Sequence, residues 1–199
     1  MVRYISSLFP KAFRSEIPET YKSSDRDFCL VCDVSLEESA FYIRNKICPA
    51  CRFHYSMTAR ERIDFLADQD SFKEFNRSLV SLDPLSFSSR TSYRDRLFSD
   101  QKRTGLTEAV VTGTCTMDGI SCVLAILDFG FLGGTMGCVV GEKISLAFER
   151  AAKMKIPVIS VVTSGGSRIQ EGVLSLMQMA KTSVASNYLN EKGVPYISI

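Results

Sequence analysis

The sequence has a single histidine in 199 residues, His54, and it stands beside a cysteine pair rather than near a serine of nucleophile type. That scarcity argues against a serine hydrolase, whose nucleophile needs an imidazole base. A pole of charge is also missing. Residues 1–105 carry 17 basic and 15 acidic side chains and residues 106–199 carry 7 of each, so neither nucleic acid nor a membrane surface is indicated as the main partner. No apolar run approaches the ~20 residues that span a bilayer. The opening Met1-Val-Arg-Tyr-Ile-Ser-Ser-Leu-Phe-Pro10 has no small-residue cleavage site and makes a poor signal peptide. Nucleotide templates fail as well. Gly-x-Gly-x-x-Gly is absent, and Gly137-Cys-Val-Val-Gly-Glu-Lys143 is one residue short of a phosphate-binding loop, with Ile144 where Ser or Thr is required. Gly165-Gly-Ser167-Arg168 begins like a nucleophile elbow and then meets Ile169.

What is present describes an ordered protein. A 45% hydrophobic content with a net charge of +2 excludes disorder, and the length is ample for a buried core. Seven cysteines without a secretory signal point to a reducing compartment, where Cys serves as metal ligand or small core residue. Cys29-Leu-Val-Cys32 and Cys48-Pro-Ala-Cys51 are two Cys-x-x-Cys pairs with 15 residues between them. Each pair can present two thiolates to adjacent corners of a tetrahedron, so one structural, four-sulfur zinc site per chain is expected. Its ligands leave no open position for water. His54 reads as a bystander, and Cys115, Cys122 and Cys138 as small core residues.

The chain divides into four stretches: a leader over 1–26, a zinc ribbon over 27–56, a helical connecting region over 57–104, and an α/β domain over 105–199. In the connecting region, Thr58-Ala-Arg-Glu61 and Ser71-Phe-Lys-Glu74 both have the form of a capping box. Asp83-Pro84 interrupts the region, and a charged helix is expected over 89–103, stopped by Gly105. Beyond it, 108–116 and 120–129 read as strands joined by the turn Met117-Asp118-Gly119. Val140, Ile144, Phe148 and Ala151 mark a helix ended by Pro157. A buried strand is expected over 158–163, then a helix carrying Leu174, Met177, Ala180 and Val184, then a strand over 194–199. A glycine turn precedes each helix, Gly130-Phe-Leu-Gly-Gly-Thr-Met-Gly137 and Ser164-Gly-Gly-Ser167. Unpaired N–H groups at such turns can hold phosphate or a developing oxyanion, or simply pack strand against helix.

These residues carry a family resemblance. The cysteine pairs, Arg60-Glu-Arg-Ile63, Asp83-Pro-Leu85, Gln101-Lys-Arg-Thr-Gly-Leu106, Gly133-Gly-Thr-Met-Gly137, Val139-Val-Gly-Glu-Lys143, Ser164-Gly-Gly-Ser-Arg168 and the run from Gln170 to Lys181 occur in the family's order. Together they resemble the carboxyltransferase β subunit of multisubunit acetyl-coenzyme A carboxylase, over roughly Phe28 to Ile199. The resemblance implies a crotonase-like ββα fold, here C-terminally truncated because the family continues past Ile199. It also implies transfer of a carboxyl group from biotin on a carrier protein to acetyl-CoA, giving malonyl-CoA for fatty acid synthesis.

Further implications concern the site and its partners. The N–H groups of Gly165 and Gly166 would hold the thioester enolate. Gly133, Gly134 and Gly137 would line the pocket near the pantetheine arm. Arg168 would approach a phosphate or carboxylate, unless it forms a surface or interface salt bridge. The implied partners are a carboxyltransferase α subunit, in an α2β2 assembly, with the biotin carboxyl carrier protein and biotin carboxylase. The implied location is the bacterial cytoplasm or the plastid stroma. Glu142 and Lys143 read as an exposed ion pair, and Leu174, Leu176, Met177 and Met179 as core or subunit contact. Ser167, Cys138 and Arg52 depart from the family's usual Ala, Ser and Gly. An alternative reading is a non-catalytic zinc-ribbon module on a degenerate crotonase scaffold, regulatory or contacting nucleic acid through Arg44, Lys46, Arg52, Arg60 and Arg62.

Overall fold

The structure is a computed structural model that describes residues 27–199, and the expected leader over 1–26 lies outside the described residues. Two apolar clusters organise the chain. The smaller gathers Cys29, Leu36, Tyr42 and Cys48 around the cysteine pairs, beside the short helix α1 (Ala40–Asn45). The larger joins Ala59, Ile63, Tyr93 and Leu97 to the residues of a five-stranded sheet. The connecting region of 57–104 is therefore part of the main body's core rather than a spacer outside it.

Helix α2 (Ala59–Leu66) starts where the sequence places it. Thr58 Oγ1 accepts the Glu61 N–H at 3.2 Å and Glu61 Oε2 accepts the Thr58 N–H at 2.8 Å, a closed capping box. Such a cap contributes about 1 kcal/mol. The second capping signal does not open a helix. Lys73–Glu74 form strand β1, paired antiparallel to strand β2 (Val110–Met117), while Ser71 Oγ donates to the Asp68 carbonyl instead. Packing overrides the local motif: Phe72 lies across Gly113 on β2, and Phe72 and Phe75 both pack on the main core. Helix α3 (Tyr93–Thr104) begins four residues later than expected, capped by Ser92. It stops as expected at Gly105, which takes φ +70°.

Strand β2 turns through Asp118-Gly119 into strand β3 (Ile120–Leu127). The Asp68 carboxylate accepts the N–H groups of Asp118 and Gly119 at 2.9 and 3.0 Å, which pins the turn. From Cys122 to Leu127 every residue of β3 is buried, the signature of a strand covered on both faces. Helix α4 (Cys138–Met154) crosses over the sheet with Val140, Ile144, Phe148 and Ala151 all buried, as their spacing predicts. Fully burying side chains of this kind stabilises by about 1.5–3 kcal/mol for each large one. The crossover returns as strand β4 (Val158–Val161), parallel to β3. Helix α5 (Val173–Glu191) follows, and then strand β5 (Tyr196–Ser198), parallel to β4 and at the sheet's edge. The strand order is β1-β2-β3-β4-β5.

Helix α5 carries its apolar residues outward, so of the two readings expected for them, core or subunit contact, the first does not hold among the described residues. Its buried residues are Ser175, Ala185 and Leu189, whereas Val173, Met177 and Val184 are 65%, 59% and 71% exposed, and Leu174, Leu176 and Met179 are also exposed. These side chains are not buried by the described residues.

Candidate functional site

The four expected thiols converge. Cys29, Cys32, Cys48 and Cys51 place their sulfurs within 4.8 Å of one another, with Cys29–Cys51 and Cys32–Cys48 each at 3.6 Å. Metal–sulfur bonds of about 2.3 Å at tetrahedral angles imply sulfur–sulfur edges of about 3.8 Å, close to those seen. The donor chemistry also calls for a cation. The Tyr55 hydroxyl donates to Cys29 Sγ at 3.2 Å and holds that thiol down to about 6. At Cys51 the Phe53 N–H pulls the same way, but burial and the other three thiols carry it up to about 12. The cluster can hold a metal ion. His54 is exposed and outside the cluster.

The two glycine turns meet side by side. The Gly165 N–H donates to the Gly133 carbonyl at 2.8 Å, the Met136 N–H to Gly166 O at 2.8 Å, and the Arg168 N–H to Met136 O at 2.9 Å. Met136 and Ser167 form a parallel bridge. The approach is too close for side chains: a Cβ on Gly134 would lie 2.2 Å from the Thr163 carbonyl oxygen, and one on Gly137 would lie 2.7 Å from Arg168 Nη1.

This stitching separates the expected donors. Gly165 has its N–H committed to Gly133. The Gly166 N–H is held only by the exposed Ser164 hydroxyl at 3.1 Å, an acceptor that a ligand can replace. The N–H of Ser167, a residue the sequence marked as a half-matched nucleophile elbow and not as a donor, has no acceptor among the described residues. In a parallel bridge the flanking residues carry the hydrogen bonds, so this N–H faces away from Met136. At the first turn the start of α4 is already occupied, because Glu171 Oε2 accepts the Cys138 N–H at 2.5 Å. Gly133 is partly exposed, while Gly134 and Gly137 are buried.

Arg168 is neither a surface salt bridge nor open to an incoming phosphate or carboxylate. Its side chain is 0% exposed, and its carboxylate partners are the chain's own. Nη2 donates to Glu108 Oε1 at 2.6 Å and to the Thr135 carbonyl at 3.0 Å, and Nε donates to Thr135 Oγ1 at 3.2 Å. Nη1 lies 3.1 Å from Glu108 Oε2, 3.3 Å from Glu171 Oε1, 3.0 Å from the Tyr93 hydroxyl and 3.2 Å from Ser81 Oγ. Ser81 donates to Glu108, and Tyr93 donates to Glu171 at 2.6 Å.

This cluster sets one guanidinium against two carboxylates. Burial works against ionised Glu171, but hydrogen bonds from Cys138 and Tyr93, with the Arg168 charge, hold its carboxyl below the ordinary range. Burial pushes the Tyr93 phenol up, which keeps it a donor. Removing one charged member would strand a buried charge, at a cost of about 3–5 kcal/mol. Glu108, Glu171, Tyr93, Ser81 and Thr135 were not anticipated from sequence. A signal existed: Glu108 heads an apolar strand, and Glu171 stands three residues after Arg168 in a helical turn.

The expected Glu142–Lys143 surface pair also separates. Glu142 pairs with Lys181, whereas Lys143 is buried with its Nζ 3.2 Å from Thr107 Oγ1. Burial, opposed by the nearby Glu108 charge, carries its ammonium down to about 8. Cys115 and Cys122 are buried as expected, facing each other across β2 and β3, while Cys138 is only partly buried.

The mixed α/β sheet is that of carboxyltransferase and crotonase-like proteins, and the four-cysteine cluster ahead of it is consistent with a zinc ribbon. Residues 54–199 match the family described as the carboxyl transferase domain, and the chain belongs to that family. Among curated relatives, the chloroplastic acetyl-coenzyme A carboxylase carboxyl transferase subunit beta of Cyanidium caldarium is 44% identical over 86% of this chain and 64% of its own length. The subunit beta of Prochlorococcus marinus (strain MIT 9215) is 48% identical over 77% of this chain and 52% of its own length. The chain thus spans roughly half to two-thirds of the length of these relatives. In solved structures, the transcarboxylase 12S with methylmalonyl-coenzyme A bound matches with a TM-score of 0.59 at 30% identity, over 72% of this chain and 25% of that one. A malonate decarboxylase hetero-dimer from Pseudomonas matches with a TM-score of 0.52 at 26% identity, over 71% and 51%. No helix among the described residues is long and apolar enough to cross a membrane.

Proposed function

We propose that this chain is the β component of an acetyl-CoA carboxylase carboxyltransferase, moving a carboxyl group from biotin on a carrier protein to acetyl-CoA to form malonyl-CoA. The observation that carries the reading is the second glycine turn, where Gly166 and Ser167 supply one displaceable N–H and one without an acceptor among the described residues, on a doubly stitched backbone. Removing the α-proton of a thioester places negative charge on its carbonyl oxygen. Backbone donors fixed in advance stabilise that charge, and losing one such donor costs about 3 kcal/mol of barrier. Biotin, when carboxylated on its carrier, supplies both the carbon dioxide and the proton acceptor. The chain's own part is to bind the thioester, orient it and hold its oxyanion, which accords with a site built on backbone rather than on a histidine.

Gly166 and Ser167 are the oxyanion donors in this reading. Gly165 contributes by its bond to Gly133, which fixes the distance between the turns. Gly133 faces the pantetheine arm, and buried Gly134 and Gly137 set the shape of the pocket wall. The four cysteines hold one structural zinc ion, since four thiolates saturate a tetrahedral ion and leave no catalytic position. The exposed apolar residues of α5, Val173, Met177 and Val184 among them, suit a subunit interface. We assign that interface to the carboxyltransferase α subunit of an α2β2 assembly, served by biotin carboxyl carrier protein and biotin carboxylase. With relatives from bacteria and plastids, the corresponding locations are the cytoplasm or the plastid stroma.

Gly165→Val tests the reading in the full-length chain assembled with its partner subunits. A Cβ there meets Gly133 O at 3.4 Å and Thr135 Cγ2 at 3.6 Å, ordinary contacts, so the turn accepts the residue while its side chain covers the exposed surface. Malonyl-CoA formation should fall at least 100-fold with assembly intact. Undiminished turnover would remove this turn from the site.

A further inference from the structure

The cluster around Arg168 lies directly behind the proposed oxyanion turn, and its composition is unusual for a purely structural core. One guanidinium and two carboxylates, from Glu108 and Glu171, are buried together with the hydroxyls of Ser81 and Tyr93, and half-buried Thr135 closes the cluster on one side. A hydrophobic cluster of similar volume would generally be no less stable than such an ionic one. What the ionic cluster supplies is direction. An arginine has a rigid fork of donors, and here the fork grips two different segments.

We propose that Arg168 is a positioning residue for carboxyl transfer: its guanidinium locks the first glycine turn to the second and so aims the N–H groups of Gly166 and Ser167. The inference rests on the function proposed above. Arg168 is the residue that follows Ser167, so the covalent backbone carries its placement to both donors. Its Nη2 and Nε both reach Thr135, on the first turn, through the carbonyl and the hydroxyl. Its own N–H bonds Met136 O, and Gly166 O accepts from Met136, which closes a ring of contacts between the turns. Glu108 fixes the far side of the guanidinium by a two-point bond and is itself anchored by the Ala109 N–H at 2.8 Å. Glu171 links the cluster to the start of α4, where its charge also suits the helix dipole. Gly137 is glycine because a Cβ would occupy the place of Arg168 Nη1 and Glu171 Oε1. The guanidinium touches no open surface, so the residue acts through the backbone rather than on the substrate.

The test uses Arg168→Lys and Thr135→Val in the full-length chain assembled with its partner subunits. Lysine keeps the buried charge opposite the two glutamates but cannot grip Glu108 and the Thr135 carbonyl together. Valine keeps the shape of Thr135 and removes only its hydroxyl. Malonyl-CoA decarboxylation in the presence of biotin should lose at least 30-fold in kcat in Arg168→Lys and about 3- to 10-fold in Thr135→Val. KM for malonyl-CoA should stay within about 3-fold in both. Amide hydrogen exchange should accelerate in Arg168→Lys at 133–137 and 164–167 together, with 120–127 unchanged. A rise in KM at constant kcat would overturn the proposal in favour of direct substrate contact. Unchanged kcat in a folded Arg168→Lys complex, or exchange that accelerates equally across the sheet, would overturn it as well. Inactivity of the unmodified complex would defeat the proposed function itself, and the exchange pattern would still decide whether Arg168 couples the turns.

Discussion

Gly133 and Gly134 provide a controlled comparison of strain and space. Both take left-handed backbone, φ +67° and +64°, so alanine at either site should carry a similar dihedral cost of about 1 kcal/mol. Their surroundings differ. A Cβ on Gly133 meets only Thr135 Cγ2 at 4.0 Å, whereas one on Gly134 would lie 2.2 Å from the Thr163 carbonyl oxygen and 3.3 Å from Ser164 Cα. Backbone cannot move aside as a side chain can, so Gly134→Ala must also force the turns apart, adding an overpacking cost of about 1–3 kcal/mol. For a domain of this size 1 kcal/mol shifts Tm by about 2–4 °C. Thermal unfolding should therefore show a loss of about 2–4 °C for Gly133→Ala and about 4–16 °C for Gly134→Ala. Turnover should fall far more in the second variant than in the first. Equal losses in the two variants would refute the claim that the turns are held at backbone contact.

Cys29→Ala or Cys48→Ala should release the metal, measured by elemental analysis, and expose 27–56 to protease while the main body stays resistant; a full equivalent of zinc in both variants would sink the four-sulfur site. Burial pushes the Cys115 thiol up to about 12 and raises Cys122 as well, so at pH 8 an alkylating reagent should modify neither until the chain unfolds, as read by mass spectrometry of the labelled peptides. Lys143 gives a pH signature. Folded, it loses its proton near pH 8, against an ordinary value of 10.5, so between these values the unfolded chain binds more protons and this residue's contribution to stability rises with pH. Lys143→Met should accordingly be the more stable protein below pH 8, by about 3 kcal/mol at most, with the difference shrinking toward pH 10.5 in urea titrations. A pH-independent difference would show that Lys143 remains charged throughout.

Local signals that agreed with burial were legible in the sequence. The Thr58 cap, the Gly105 stop, the Asp118-Gly119 turn and the apolar spacing of α4 each specify one structure through nearby residues, and the two Cys-x-x-Cys pairs did so for the ribbon. The Ser71 motif was misleading because Phe72 and Phe75 gain more by packing on the sheet than the cap could contribute. Helix α5 carried an apolar pattern without revealing that the described residues leave one of its faces exposed. The Arg168 cluster was illegible for a different reason. Its members come from Ser81, Tyr93, Glu108, Thr135 and Glu171, far apart along the chain, and charged residues are ordinarily placed outside unless a partner is known. The proposed donors followed the same logic: the glycine pair marked the turn, but only the pairing of Gly165 with Gly133 moves the proposal one residue along, to Gly166 and Ser167.

The most direct test of the proposed function is biotin-dependent release of acetyl-CoA from malonyl-CoA, the transfer run in reverse, by the full-length chain with the proposed α subunit. The glycine-turn account predicts turnover that requires both subunits and biotin and that Gly165→Val lowers at least 100-fold. An assembled, zinc-loaded complex that releases no acetyl-CoA, or one that Gly165→Val leaves unimpaired, would contradict it.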